Sequence, residues 1–228
     1  MLNRFLSADQ LRRKFLKTAS HAVMQNYFST PFPNLKTPWN EIEIVSLDFE
    51  TTGLDPLKDQ ILSYGKVEID HGLIKIKTAE HGLIKARQSI PESSAIIHHI
   101  TDDLANSGLR RRDALPRVLE FLRGKVMLVH YNKIEQGFLN AACQTFYGSP
   151  FVIPTIDTLE LAQRVLSHRN HAIEPHQLRL FNLRKAFKLP IYKAHNALGD
   201  ALTTAELFLV LEGEISPRSA TRLKDLII

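Results

Sequence analysis

Cysteine is nearly absent: Cys143 is the only one in 228 residues. Its isolation excludes an internal disulfide and a thiolate-held metal cluster, and makes a reducing cytoplasm the expected setting. Long apolar runs are missing as well. None approaches the roughly 18 residues a membrane-spanning helix needs, so a helical membrane protein is excluded. Acids are outnumbered, 24 against 29 lysines and arginines, and the net charge of +5 leans toward polyanionic partners such as nucleic acid. The 44% of hydrophobic residues supports a sizeable core, and the length suits one α/β domain with a small extension.

Residues 1–40 read as a basic amphipathic helix followed by a proline-rich linker. Leu2, Phe5, Leu6, Leu11, Phe15, Leu16, Ala19, Ala22 and Val23 recur at roughly helical spacing, while Arg4, Arg12, Arg13, Lys14 and Lys17 fill much of the remainder. The expected arrangement is a helix packed on the main domain with a basic outer face. Contact with nucleic acid or a partner protein is the alternative. A mitochondrial presequence shares this composition, but no cleavage signal follows it. Pro31, Pro33 and Pro38 rule out regular helix or central strand, so this stretch is expected to be an extended linker to the first strand.

The chemistry begins at Ile44-Val45-Ser46-Leu47-Asp48-Phe49-Glu50-Thr51-Thr52-Gly53-Leu54, a buried strand that ends by presenting two carboxylates. Residues i and i+2 of a strand share a face, so Asp48 and Glu50 emerge side by side. Two acids at that spacing repel each other unless a proton or cation sits between them. Paired hard oxygens suit Mg²⁺ or Mn²⁺ rather than zinc. An isolated pair of this kind is more often two solvated acids at a strand end. Its company further along the chain decides the matter.

Residues 41–47, 61–70 and 73–79 alternate as three strands, with Asp70-His71-Gly72 as a tight hairpin turn. A short helical segment opens at Ile90-Pro91-Glu92. Thr101 is expected to cap the next helix, which leaves His98 on a loop within reach of a ligand. Arg110, Arg111 and Arg112 read as a solvated basic face. Residues 125–130 form a short buried strand, and Ile134, Phe138, Ala142 and Phe146 then mark one apolar helix face. Glu135 sits at the rim of that face and near the helix start, from where it can look toward the sheet.

Residues 155–159 are a further strand leading into a helix over 160–165, and the polar stretch 170–177 is a loop. A short helix over 183–187 follows. The last strong helix is expected to bury Leu198, Ala201, Leu202, Ala205, Phe208 and Leu209 and to stop at Gly213. Asp200 lies in its first turn facing the sheet, and His195 precedes it on a loop. Asp48, Glu50, Glu135 and Asp200, with His195, make four carboxylates and a histidine, each at the end of a core element. That pattern is a metal site with a general base.

These residues resemble the DEDDh group of the DnaQ-like 3′–5′ exonuclease superfamily, over about residues 41–213. Asp48-Phe49-Glu50-Thr51-Thr52-Gly53 is similar to the first motif, and His195-Asn196-Ala197-Leu198-Gly199-Asp200-Ala201 to the third, including its histidine. His98-His99-Ile100-Thr101 resembles the family's H-G-I-T loop. His130-Tyr131-Asn132-Lys133-Ile134-Glu135 stands where the family usually has H-N-x-x-F-D, so the second motif departs by one methylene. The departure bears on the geometry of a second metal and on the choice between Mg²⁺ and Mn²⁺.

The resemblance implies a ribonuclease-H-like α/β fold, a mixed β-sheet flanked by α-helices, with residues 214–228 as a short tail. It also implies two divalent cations, Mg²⁺ or Mn²⁺, about 4 Å apart around the scissile phosphate. Asp48, Glu50 and Asp200 would hold the first, and Asp48 with Glu135 the second. His195 would act as general base, while Thr51, Thr52, Leu54 and His98 would hold the terminal nucleotide. The implied partner is a single-stranded or frayed 3′ end, DNA before RNA. An exoribonuclease of the same group and a non-catalytic nucleic-acid scaffold are the competing readings. Gln177-Leu178-Arg179-Leu180-Phe181 is similar to a bacterial sliding-clamp pentapeptide, with Gln177, Leu180 and Phe181 as the contact residues. The few residues after Gly213 are too short for a polymerase-binding tail, which favours a stand-alone enzyme or association through the N-terminal extension.

Overall fold

The protein is described by a computed structural model that covers residues 7–168, 173–190, 192 and 195–228. The expected helical positions Leu2, Arg4, Phe5 and Leu6, and residues 170–172 of the polar loop, lie outside the described residues. Five strands form one sheet: β1 (Ile44–Thr51), β2 (Ile61–Asp70), β3 (Leu73–Leu83), β4 (Val126–Val129) and β5 (Thr155–Asp157). Their order is β3-β2-β1-β4-β5. The pairs β1–β2 and β2–β3 are antiparallel, whereas β1–β4 and β4–β5 are parallel. This is the mixed sheet that the ribonuclease-H-like reading requires. His71 and Gly72 turn the hairpin with φ of 50° and 70°, the left-handed pair that matches the twist of its strands.

β1 is covered on both faces, which is why it reads as a nearly continuous apolar run. Val45, Leu47 and Phe49 enter a core shared with α2 (Ala22–Ser29), α5 (Arg111–Leu122) and α6 (Lys133–Tyr147). Ile44 enters a second core with α7 (Thr158–His168), α8 (Leu180–Ala186) and α9 (Ala197–Ile215). Ser46 follows the same period and donates its hydroxyl to the Ala201 carbonyl at 2.7 Å. Two further residues on, that face carries Asp48, and then Glu50. The period of two thus sends both acids under the start of α9. None of the helices among the described residues is long and apolar enough to cross a membrane.

Several local expectations are corrected. The N-terminal segment forms two helices, α1 (Ala8–Thr18) and α2, because the chain turns extended at Ala19 and His21 caps anew. Both pack on the first core, although Arg12 is turned inward rather than outward. Its guanidinium bonds Asp9 at 2.6 Å and the Phe28 carbonyl. The proline-rich stretch is no free tether, since Phe32 and Trp39 are buried. Pro38 bridges Arg222, and Leu223 and Leu226 are buried, so the C-terminal segment is knit to this stretch. The bridge from Ile156 to Ile227 also covers the outer edge of β5. α9 runs through Gly213 to Ile215, and the helix over 160–165 extends in both directions to become α7. Along α9, Ala201, Ala205 and Phe208 are buried as expected, whereas Leu198, Leu202 and Leu209 are only half-buried.

Candidate active site

Asp48 and Glu50 arrive on β1, and Asp200 arrives on the first turn of α9. One carboxylate oxygen from each lies within 4.8 Å of the others. Asn196 caps α9 by accepting the Gly199 N–H at 3.1 Å, and the His195 N–H donates to Asp200 Oδ2 at 3.1 Å. The local fold therefore ties the histidine loop to the carboxylate that follows it. Gly65 of β2 pairs with Asp48 in the sheet. A Cβ built on Gly65 would sit 2.1 Å from the backbone of Ala197 and Leu198. Only glycine lets α9 begin this close to the acids.

Glu135 looks toward the sheet as expected, with 3% of its surface exposed. It stands beside the trio rather than within the group that shares the 4.8 Å radius. Burial drives the proton affinity of Asp48 well up, and the charges of Glu135, Glu50 and Asp200 push it further. Burial and then Glu50 raise Asp200 to about 6, against the opposing charges of His195 and Arg184. Glu135 is raised to about 8 by burial, with its own N–H and that of Phe49 opposing and Asp157 and Glu50 adding. Asp48, Asp200 and Glu135 in this state, with the Glu50 carboxylate among them, favour a cation at their centre. Glu50 Oε1 and Glu135 Oε2 are buried with no hydrogen-bond partner, as atoms shaped to ligate would be. An all-oxygen donor set fits Mg²⁺ or Mn²⁺.

His98 is not on a loop. It is the last residue of α3 (Glu92–His98), which His99 ends in the left-handed conformation with φ of 57°. From there His98 Nδ1 still reaches Glu50 Oε2. Its ring centroid lies 6.1 Å from that of His195, so two imidazoles stand beside the carboxylates. Thr101 caps α4 (Asp102–Asn106) as expected, accepting the Leu104 N–H at 3.3 Å.

Residues 45–208 match the exonuclease family of RNase T type. The DNA polymerase III epsilon subunit of Treponema pallidum is 31% identical over 75% of this chain and 76% of its own length. The chain belongs to the exonuclease family. The PolC-type DNA polymerase III of Thermotoga petrophila is also 31% identical, over 80% of this chain, which spans 13% of that polymerase. Among solved structures, Exonuclease X in complex with 5′ overhanging duplex DNA gives a TM-score of 0.62 at 21% identity, covering 80% of this chain and 98% of that one. Exonuclease I of E. coli with a dT13 oligonucleotide gives 0.67 at 18% identity, covering 76% and 41%. At those identities the structures establish the shared fold.

Other residues of this exonuclease act from beneath the site, and the sequence reading passed over them. Asp157 ends β5 and is 2% exposed. Its carboxylate accepts the N–H groups of Tyr131, Asn132 and Leu159, each at 2.9 Å. Tyr131 has φ of 76°, so Asp157 pins the strained corner that leads into α6 and Glu135. Its signal was an acid closing the largely apolar run Phe151-Val152-Ile153-Pro154-Thr155-Ile156. Asp157→Ala would orphan those donors, and urea denaturation is expected to show a loss of about 1–3 kcal/mol. Arg184 was also missed. It is 3% exposed and places a buried positive charge on the Asp200 side.

Thr51 donates its hydroxyl to the Gly53 carbonyl at 2.7 Å. Thr52 donates to Asp59 at 3.1 Å and accepts the Gln60 N–H at 3.0 Å. Both hydroxyls shape the loop, while Leu54 is 75% exposed beyond them. In the clamp-like pentapeptide Leu178 is buried, and Gln177 is engaged in a capping box with Glu174. Leu180 packs against the second core, while Phe181 is exposed.

Proposed function

We propose that this exonuclease hydrolyses phosphodiester bonds from the 3′ end of DNA, with Mg²⁺ or Mn²⁺ as cofactor. The observation that carries the reading is the convergence of Asp48, Glu50 and Asp200 within 4.8 Å in a chain of this family. Divalent cations held by those three residues, with Glu135 beside them, would supply Lewis-acid stabilisation of charge on the phosphate oxygens. An imidazole nitrogen of His195 accepts the proton of the attacking water. General-base help of this kind contributes about 10²–10⁴-fold. The backbone N–H of His195 donates to Asp200, which anchors the loop that carries this imidazole beside the carboxylates. Thr51 and Thr52 hold the loop that presents Leu54 to the terminal nucleotide, and His98 closes the Glu50 side.

DNA is favoured over RNA by the relatives, which are DNA polymerase III components, and by the DNA bound to the structural neighbours. The basic charge balance agrees with a polyanionic substrate. The bacterial relatives and the free, buried Cys143 support a cytoplasmic setting. The clamp-like segment is largely built into the domain, so a clamp contact would rest on Phe181.

The test is digestion of 5′-labelled single-stranded DNA, mismatched duplex DNA and RNA with Mg²⁺ or Mn²⁺. A ladder shortening from the 3′ end and abolished by EDTA is the expected outcome. Release of the label as a mononucleotide would reverse the polarity. Glu135→Asp is expected to remain active in the same assay, because it keeps the charge and shortens the reach by one methylene.

A further inference from the structure

His195 carries its imidazole on a backbone that needs outside support. Its φ is 57°, in the left-handed region where a residue with a Cβ is held only by its surroundings. The residue is exposed and borders a cavity of about 400 Å³ between α8 and α9, with Arg184, Asp200 and Thr203 among the other walls. A side chain in such a place takes its position from the chain that delivers it. Here that chain is the connector from α8 to α9, of which residues 187–190, 192 and 195–196 are described.

Arg184 holds that connector at two points. Its carbonyl accepts the Leu189 N–H at 2.9 Å, and its guanidinium donates to the Tyr192 carbonyl at 3.3 Å. The other terminal nitrogen of the guanidinium donates to the Thr203 hydroxyl at 3.5 Å, on the turn of α9 that follows Asp200. Tyr192 is tied to α9 as well, since its hydroxyl donates to Glu206 at 2.7 Å. One planar fork thus spans α8, the connector and α9, just ahead of the imidazole. Arg184 is buried, and among the described residues no carboxylate lies within ion-pair distance of it. The Phe181 ring at 5.6 Å is a weak substitute. A charge buried on these terms adds little to stability, and an apolar side chain of similar length would serve the core as well. What the guanidinium adds is direction, because it fixes a connector carbonyl that an apolar side chain would leave loose.

We propose, on the reading of His195 as general base, that Arg184 is a positioning residue for the hydrolysis. It holds the connector through the Tyr192 carbonyl and so keeps the His195 imidazole at the metal-binding acids.

A double-substitution cycle on the full chain tests this, read as single-turnover cleavage of single-stranded DNA at saturating Mn²⁺. Arg184→Met should lower the rate of the chemical step by about tenfold and leave the DNA concentration at half-maximal rate unchanged. His195→Ala alone should lower it by about a hundredfold or more. The two together should match His195→Ala, because a base that is absent has no position to lose. Tyr192→Phe frees the connector from Glu206 and leaves the buried cation in place. It should lose about threefold, the effect of one hydrogen bond, and again nothing further once His195 is gone. Equal fractional losses with and without His195 overturn the proposal and make Arg184 a structural residue. It also falls if more Mn²⁺ restores Arg184→Met, which would place the effect of the charge at Asp200. Full activity of His195→Ala would strike the base reading itself, and the role of Arg184 with it.

Discussion

Asp48→Ala is expected to lower the exonuclease rate by about a thousandfold or more, since it removes the carboxylate placed at the centre of the proposed two-cation site. The same substitution should raise the melting temperature of the EDTA-treated protein. Asp48 is pressed by burial and by Glu135, Glu50 and Asp200, so its removal relieves a repulsion that only a cation or protons otherwise offset. Opposite movements of activity and stability are the signature of a functional site under strain. A loss of both would instead make Asp48 a structural residue.

The pH dependence follows from the same crowding. Asp200 is raised to about 6 and Glu135 to about 8, both above the range of an unfolded chain. Between the unfolded and folded values the native state binds more protons, so stability falls as pH rises from about 4 to about 8. Thermal melts in EDTA should show this decline. Saturating Mn²⁺ should remove most of it, because the cation takes over the role of the protons.

Gly65→Ala is expected to cost about a hundredfold in activity, through position rather than chemistry. The new Cβ would overlap the backbone of Ala197 and Leu198, which cannot swing aside as a side chain would. The start of α9 must lift from β2, and Asp200 and the His195 loop lift with it. Misplacement by about 1 Å is enough for a loss of that size. Gly213→Ala is the control. It lies inside the same helix with nothing within 4 Å of its Cβ position, so activity should be unchanged and stability should rise by about 0.5–1 kcal/mol. Equal activity of the two variants would remove Gly65 from the account.

The site was legible where one element decided a side chain's direction. Strand alternation placed Asp48 and Glu50, and the first turn of an apolar helix placed Asp200. Glu135 could be read from the rim of its helix face. Gly65 was not legible, because its role depends on Ala197, more than a hundred positions away. Asp157 escaped for a related reason: it serves a corner built by Tyr131 and Asn132, and no local pattern announces that. His98 was misplaced because its helix ends on a left-handed histidine rather than on the glycine that usually marks such a stop. At the N-terminus the amphipathic spacing continues across the break between α1 and α2 without a proline or glycine to interrupt it. The burial of Phe32 and Trp39 likewise depends on partners that the proline-rich sequence does not name.

Calorimetric titration of the metal-free protein with Mn²⁺ tests the convergence of these acids most directly. Saturable binding by the unaltered chain is expected, lost in Asp48→Ala and in Asp200→Ala, although these residues come from elements about 150 positions apart. Unchanged Mn²⁺ binding in either variant would contradict that convergence.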